Sequence, residues 1–384
     1  MPVRLLFSCV VVMTQIAAAG ETQWVKKFSF VGSNRWDIST AYAISADSQV
    51  LVFRRDEHRD TPRKEAWRHE LVYVDLVTGQ ERAVLQLSDS GYARLGVSRD
   101  GRQVAVLHAP GGADWRPFFV SVWQPLSGEQ LFKNYTCPCY ELMSSEGATE
   151  SIEGTPFGDP VFSPDGTKVA FFGRHIRQNR KTGTEGATDA VGVLNLGSGR
   201  SVAFDLPFLT KSQTSHYWYL GWGENGLSIC AIAHGDYRET VHEKTATGYS
   251  EVHQSPPDWA AYRCSLADGG TTLVGGVPLS TLGFGANDAI IVSDVDTERE
   301  SLPPSAWHRT GFGLVPINRL EQLGHGGSRS VQALALATTI TKITAPREEN
   351  NFRLSEVFVG KAHTFVVGWM NGVRVVLEHL VGDP

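Results

Sequence analysis

Short runs in which apolar and polar residues alternate, each interrupted by a turn, repeat along this chain. The clearest run is FSPDGTKVAFF at Phe162–Phe172, and variants of it occupy Val97–Leu107 and Ile44–Phe53. Alternation with a period of two predicts half-buried strands. The Pro-Asp-Gly centre predicts a tight turn, because proline presets φ and glycine accepts the positive φ that returns the chain. Each run is therefore predicted to be a β-hairpin.

A second alternating hairpin follows each of these three runs. The second hairpins lie at Glu70–Gln80, Phe118–Glu129 and Ala190–Arg200. Two hairpins together would make a four-stranded sheet. The first strands of such sheets are predicted to begin near Ala41, Leu95, Pro160, Tyr219, Thr281 and Arg353. Sheets repeated in this way are typical of blades, so the predicted fold is all-β, a six-bladed β-propeller of four-stranded blades.

The last predicted blade has only three strands of its own. They lie at Leu354–Val359, Phe365–Met370 and Val373–Leu380. The N-terminal run Gln23–Val31 is predicted to supply the fourth strand and to close the ring, which would also remove two exposed sheet edges. In the fifth blade, Gly313–Leu320 and Ser330–Ile343 stand where one or two strands are needed, and the sequence leaves their assignment open.

The hairpin motifs resemble those of a known family. The FSPDGTKVAF form at Phe162–Phe171, with the DLVTG turn at Asp75–Gly79, resembles the WD40-like repeats of TolB-type six-bladed propellers. The likeness covers most of the chain, is sharp in the first three blades and fades after Gly283. That family includes periplasmic interaction scaffolds, propeller domains of serine peptidases and some uronate-polysaccharide lyases. The resemblance therefore implies a fold and leaves the function open.

The N-terminus has the pattern of a secretory signal. A basic start at Met1–Arg4 precedes an apolar run at Leu5–Ile16 and small residues at Ala17–Gly20. Residues 1–19 are predicted to be a signal peptide and residues 20–384 a single propeller domain, exported to the periplasm or the extracellular space. The apolar run is too short to cross a bilayer, so no membrane span is expected after cleavage. The net charge of −6 argues against nucleic acid as a partner, and a monomer is expected.

Four cysteines remain after the predicted cleavage. Cys230 and Cys264 lie in runs expected to be neighbouring strands. They are predicted to form a cross-strand disulfide, with two buried thiols as the alternative. The Cys137-Pro138-Cys139 segment could be a local disulfide, two free thiols or half of a metal site.

Loops that follow the second strands carry arginine and histidine in an otherwise acidic protein. In a propeller these loops share one face, where a rigid scaffold positions ligand-binding groups. The residues expected to bind a ligand are Arg54, Arg55, His58, Arg59 and Arg180. The partner would be a protein or an anionic ligand such as a uronate oligosaccharide or an acidic peptide. The alternative is a solvated loop whose charges pair locally.

Three histidines, His108, His175 and His234, come at or near the ends of second strands. If they converge, they could hold a divalent metal or act as a base, although packed or surface histidines are the simpler interpretation. The further catalytic candidates are Tyr237, Arg174, Arg177 and Arg238. These groups would suit a lyase that neutralises a uronate carboxylate and removes the C5 proton by β-elimination.

No complete catalytic motif stands in the sequence. It lacks a phosphate loop, an H-E-x-x-H helix, a dinucleotide fingerprint and a G-x-S-x-G elbow. The leading hypothesis is therefore an exported binding or scaffold propeller that recognises a protein or an anionic ligand on its long-loop face. The alternative is a polysaccharide lyase acting on a uronate-containing polymer.

Overall fold

The structure is a computed structural model. It describes residues 23–31, 36–57, 68–87, 90–110, 119–134, 136–138, 148–155, 158–179, 184–206, 219–234, 239–245, 248–254, 259–278, 280–285, 288–295, 309–323, 333, 335–342 and 352–380.

The described residues form six antiparallel four-stranded blades, as the repeated hairpins predict. Blade 1 contains β2 (Trp36–Ser45), β3 (Val50–Glu57), β4 (Arg68–Asp75) and β5 (Gln80–Leu87). Blade 2 contains β6 (Ser90–Val97), β7 (Val104–Pro110), β8 (Phe119–Gln124) and β9 (Glu129–Asn134). Blade 3 contains β12 (Val161–Phe162), β13 (Lys168–Asn179), β14 (Thr184–Asn195) and β15 (Arg200–Asp205), joined by β10 (Thr136–Pro138) and β11 (Ala148–Gly154).

The second half of the chain follows the same plan. Blade 4 contains β16 (Tyr219–Trp222), β17 (Ser228–His234), β20 (Trp259–Ser265) and β21 (Thr271–Gly276), with a separate ribbon of β18 (Glu239–Thr245) and β19 (Gly248–Gln254). Blade 5 contains β22 (Thr281–Gly285), β23 (Ala289–Val295), β24 (Arg309–Pro316) and β25 (Thr339–Lys342). Blade 6 contains β26 (Arg353–Val359), β27 (Thr364–Met370), β28 (Val373–Leu380) and the N-terminal strand β1 (Gln23–Phe30).

The predicted turn chemistry is confirmed in the blade 3 repeat. Gly166 has φ +71° and donates its N–H to the carbonyl of Ser163 at 2.9 Å. The Ser163 hydroxyl donates to Asp165 at 2.6 Å and accepts the Lys168 N–H at 2.9 Å. Because the turn satisfies its own polar groups, the same motif can start the blade with little help from the rest of the fold.

The first strands of the blades form the inner ring. β2 contacts β6, β6 contacts β12, β12 contacts β16, β16 contacts β22 and β22 contacts β26. These strands therefore surround the central channel. Outside them the core lies between blades, as where Phe172 and Val191 of blade 3 pack with Ile229 and Tyr262 of blade 4.

The predicted closure of the ring by the N-terminal strand is confirmed. β1 pairs antiparallel with β28, from Gln23 opposite Leu380 to Phe30 opposite Arg374. Glu378 is buried and forms an ion pair with Lys27 Nζ of β1 at 2.7 Å. Its other carboxylate oxygen lies 2.7 Å from His363 Nδ1. His363 Nε2 in turn lies 3.1 Å from Gln49 Nε2 of blade 1. One buried carboxylate thus connects the N-terminal strand, blade 6 and blade 1.

The open assignment in blade 5 is resolved as two strands and a 3-10 helix between them. Of the run Gly313–Leu320, β24 ends at Pro316 and a 3-10 helix spans Ile317–Leu323. Of the run Ser330–Ile343, only Thr339–Lys342 is a strand among the described residues. Pro316 has no N–H to continue the ladder, which explains why the alternation persists while the strand stops.

The expected disulfide between Cys230 and Cys264 is not formed, and both are free, buried thiols. The prediction of neighbouring strands was right, but Cys230 pairs with Arg263 and Cys264 with Ile229. A register offset of one residue turns the two side chains to opposite faces of the sheet. Cys230 packs towards blade 5 and Cys264 towards blade 3. Burial raises the pKa of each thiol to about 12, so both are protonated and unreactive.

Within the parts of the chain that the structure describes, no helix has the length and apolar character needed to cross a membrane.

Candidate functional site

The two faces of the propeller differ in how their centres are occupied. The turn face is made by the first turns at residues 46–49, 99–103, 164–167 and 224–227. The loop face, opposite to it, is made by the connections between second and third strands. On the turn face Arg99 of blade 2 pairs with Asp47 of blade 1 and, at 3.4 Å, with Glu224 of blade 4. Since blade 3 lies between blades 2 and 4, this arginine reaches past it, and ion pairs within the chain link blades 1, 2 and 4 on the turn face.

The loop face projects further from the blades, most clearly at blade 3. β13 and β14 are each 12 residues long and pair along their whole length, from Lys168 opposite Asn195 to Asn179 opposite Thr184. β12 covers only the end of β13 near the turn face, whereas β11 pairs with Gly173–Asn179. In blade 4 the β18–β19 ribbon is inserted between the second and third strands, so it belongs to the same face.

Side chains at the base of the blade 3 ribbon form a compact ionic cluster. His175 is buried, with Nδ1 2.8 Å from Asp205 Oδ1 and Nε2 3.3 Å from Glu150 Oε2. Arg177 pairs with the same two carboxylates, and Thr188 donates to Asp205 at 2.9 Å. Burial opposes ionisation of Asp205, but the hydrogen bonds from His175, Arg177 and Thr188 outweigh it and lower the pKa of that carboxyl. His175 is thus held between two carboxylates.

Blade 1 has a comparable cluster where β3 meets β4. Buried Arg54 donates from Nε to Asp56 at 2.7 Å, and its Nη2 lies 2.9 Å from His69 Nδ1. On the other side of the sheet Arg55 donates to Glu70 at 2.9 Å and to Glu81 at 3.1 Å. Burial raises the pKa of Asp56, but hydrogen bonds from His69 and Arg54 reverse this and leave it lowered. The charges of both arginines are therefore balanced locally.

The histidines proposed as metal ligands occupy separate environments. His108 is buried on β7, and burial, with the charges of Lys133 and Arg54, lowers its pKa to about 4. His175 belongs to the blade 3 cluster, and His234 ends β17 with its backbone paired to Trp259. Among the described residues no group of three or more His, Cys, Asp or Glu side chains is placed to hold a metal ion.

Most of the remaining predicted site residues lie outside the described residues, whereas Arg174 lies within them. The undescribed ones are His58, Arg59, Arg180, Tyr237, Arg238 and Cys139. Arg174 is exposed on β13, directly opposite Asp189 of β14. Of the basic residues predicted to bind a ligand or take part in catalysis, Arg54, Arg55 and Arg177 are placed in ion pairs with their own blades.

A further group of charged residues lies inside the central channel, and sequence reasoning missed it. Three charged residues occupy the same position in their blades, three residues before the last paired residue of the first strand. They are Arg94 before Val97, Asp159 before Phe162 and Glu356 before Val359. Equivalent positions in a ring of blades lie at the same level of the channel. The channel cluster comprises Arg94, Asp159 and Glu356 together with Tyr42 of blade 1 and with Arg374, which comes from β28, the third strand of blade 6, and contacts the cluster at Tyr42. Comparing this single position between repeats would have found four of its members, because Tyr42 also comes three residues before Ser45, the last paired residue of β2.

The channel cluster brings two acidic and two basic groups together. Arg94 Nη1 lies 3.8 Å from Asp159 Oδ1, and Glu356 is hydrogen-bonded to Tyr42. The Arg374 guanidinium lies 5.3 Å from the centre of the Tyr42 ring and 4.9 Å from that of Trp369. Blades 3 and 6 are opposite each other in the ring, so Asp159 and Glu356 face each other across the channel.

Enclosure by the blades perturbs both carboxyl groups. Burial raises the pKa of Glu356 to about 7, and the charge of Asp159 adds to this, while Tyr42, Arg374 and Arg94 act against it. Burial also raises the pKa of Asp159, against the effect of Arg94. The Asp159 side chain is nevertheless 48% exposed. A side chain on the channel wall can contact water on one side while protein surrounds it on the others. Such a carboxyl group is open to a ligand but less hydrated than one on the outer surface.

Comparison with known proteins assigns no family to this chain. No protein-family model and no curated relative match the chain. The structure is similar to the β-propeller domain of the trilobed protease from Pyrococcus furiosus, with TM-score 0.45 and 9% identity over 92% of this chain and 83% of that one. It is similar to an acylaminoacyl peptidase, with TM-score 0.45 and 10% identity over 91% of this chain and 45% of that one. A luciferin-regenerating enzyme matches with TM-score 0.43 and 9% identity over 94% and 96% of the two chains. The TolB-type assignment stays a prediction.

Proposed function

We propose that this chain is an exported binding propeller, a module without its own catalytic chemistry that recognises a protein partner or an anionic ligand on its loop face. The observation that carries the proposal is the difference between the faces. On the turn face Arg99 pairs with Asp47 and Glu224, so its charge is balanced within the chain. The loop face carries the two ribbons and leads to the channel cluster. Binding sites favour loops that a rigid scaffold positions.

The blade 3 ribbon offers a docking edge for a protein. β15 pairs with β14 only from Ala190 to Asn195, so among the described residues no strand covers β14 over Thr184–Thr188. Gly186 and Ala187 in this stretch are exposed. An uncovered edge presents backbone donors and acceptors to which a partner can add a strand. The edge therefore supports recognition of a protein through the ribbon.

The ribbon edge can be tested with one substitution and a matched control. A Cβ added at Gly186 would meet nothing within 4 Å, so Gly186→Glu places a charge on the edge without a clash. Gly197→Glu makes the same change at the turn face of the same blade, where the nearest atom is the Asn195 side chain at 3.5 Å. Affinity capture from the extracytoplasmic fraction of the source organism, read by mass spectrometry, should lose its specific partner with Gly186→Glu and keep it with Gly197→Glu.

The opposite pattern would overturn the assignment of the loop face. If wild-type protein captures no specific partner and binds no anionic oligosaccharide, the binding function itself is refuted. Equal thermal unfolding of the two variants is the control for their folding.

A further inference from the structure

Arg374 and Glu356 differ from the arginines of the blade 1 and blade 3 clusters, which pair directly with carboxylates. Arg54, Arg55 and Arg177 each have a carboxylate oxygen within ion-pair distance. Among the described residues, neither Arg374 nor Glu356 takes part in any ion pair. They interact with each other only at longer range. A charge kept in a poorly solvated place without a direct partner is costly unless something else completes its surroundings.

Arg374 is held in place by aromatic rings rather than by an acid. Its guanidinium lies over Trp369 at 4.9 Å, Tyr42 at 5.3 Å and Phe30 at 6.0 Å. Its Nε is buried and has no hydrogen-bond partner within the described part of the chain. Stacking fixes the plane of a guanidinium and leaves its N–H groups available for a planar acceptor. Trp369 is 42% exposed beside the Asn371-Gly372 turn, so this end of the cluster opens to the loop face.

We propose that the channel cluster binds the carboxylate of a small organic acid or sugar acid, with Arg374 as its main anchor and Glu356 controlling its charge. The inference rests on the proposed binding function and names the ligand class of the channel. A carboxylate matches the fork of donors on a guanidinium. An ammonium ligand fits less well, because it would approach two arginines at once. When Glu356 is protonated, its O–H can be donated to the Tyr42 oxygen, and the single O–H of Tyr42 is then free to donate to the ligand.

The protonation of Glu356 decides the net charge that the ligand meets. The charged and titratable groups facing it are Tyr42 from β2, Arg94 from β6, Asp159 before β12 and Arg374 from β28. With Glu356 ionised, two arginines balance two carboxylates. With Glu356 protonated, the cluster carries one excess positive charge and gains an O–H donor. Since the pKa of Glu356 is about 7, this change falls within the physiological range.

The proposal gives a defined pH dependence. If the carboxylate binds only when Glu356 is protonated, the apparent affinity follows the protonated fraction, which falls about tenfold between about pH 6 and pH 8. The probes are succinate and galacturonate, with the methyl ester of galacturonate as the neutral control. Isothermal titration calorimetry of the full chain should show saturable binding of one or both acids with Kd below about 10 mM at the lower pH, and none of the ester.

Two substitutions test the two roles separately. Arg374→Gln should weaken carboxylate binding about tenfold or more. Glu356→Gln mimics the protonated acid, so it should bind at about pH 8 as wild type binds at about pH 6, without pH dependence. Arg102→Gln, at an 82% exposed position on the turn face, is the matched control and should bind as wild type. Thermal unfolding checks that each variant is folded. If Arg374→Gln does not fold, Arg374→Lys replaces it in the same measurement.

Absence of saturable binding of both acids at the lower pH would overturn the proposal, as would binding by an Arg374 variant equal to wild type. Glu356→Gln with unchanged pH dependence would refute the role of that carboxyl. The Gly186→Glu variant distinguishes this site from partner docking. It should retain acid binding while losing the partner, so each proposal can fail without the other.

Discussion

Substituting Glu378, the buried carboxylate that joins the N-terminal strand to the last blade, should weaken the closure of the ring. Glu378 is 3% exposed, and its carboxylate oxygens lie 2.7 Å from Lys27 Nζ and 2.7 Å from His363 Nδ1. Glu378→Gln keeps the volume and one acceptor oxygen but removes the negative charge. Breaking a fully buried ion pair costs about 3–5 kcal/mol. Lys27 is 21% exposed and His363 31% exposed, so both can turn partly to water. We therefore expect a loss of about 2–3 kcal/mol.

The assay is equilibrium unfolding in urea at neutral pH, followed by tryptophan fluorescence. Glu81→Gln is the matched control, because Glu81 pairs with Arg55 at 3.1 Å but is 44% exposed. That variant should lose less than about 1 kcal/mol. Lys27→Met completes a double-mutant cycle with Glu378→Gln and should give a coupling of about 1 kcal/mol or more. If Glu378→Gln costs no more than Glu81→Gln, or if the cycle shows no coupling, the account of the closure is wrong.

Three further outcomes follow from the described residues. The pKa of His108 is lowered to about 4 in the folded protein, so the unfolded state takes up a proton first as the pH falls below about 6.5. This difference destabilises the folded state by about 2 kcal/mol near pH 5. His108→Leu should remove that destabilisation, as measured by the free energy of unfolding against pH. An alanine Cβ at Gly96 would lie 1.8 Å from the Pro160 carbonyl oxygen, so Gly96→Ala should cost about 3 kcal/mol or more, whereas Gly186→Ala in open space should be close to neutral by the same urea assay. Pectic, alginate and ulvan substrates should give no absorbance of unsaturated uronate product, with or without divalent metal, and a sustained increase would revive the lyase hypothesis.

The parts of the fold that the sequence predicts are those set by local chemistry. The Asn371-Gly372 turn has φ +52° and +79°, as a two-residue hairpin turn requires, and the strands on either side match their predicted bounds closely. The unpaired run at Gln23–Val31 was assigned by elimination, since the last blade lacked one strand. The first inference needs only one turn, whereas the second joins opposite ends of the chain and depends on the number of strands that each blade requires.

The features that sequence reasoning missed depend on register and on the closed ring. Cys230 and Cys264 lie on adjacent strands, but a one-residue offset separates their side chains, and no pattern of alternation gives that offset. Asp159 and Glu356 are brought together only because blades 3 and 6 are opposite each other. The basic residues chosen from the loops were conspicuous in the sequence, whereas their carboxylate partners, such as Asp205 for Arg177, lie on other strands.

The pairing of β1 with β28 also dictates an order of events during synthesis. Gln23 is made among the first residues of the propeller and its partner Leu380 among the last. The N-terminal strand therefore has no β28 to pair with until synthesis has reached the end of the last blade. A chain stopped before residue 373 would lack β28 and leave two open edges facing each other. The ring can close only after the last blade is complete, and a chain that lacks β28 would expose strand edges to proteases and chaperones that recognise them.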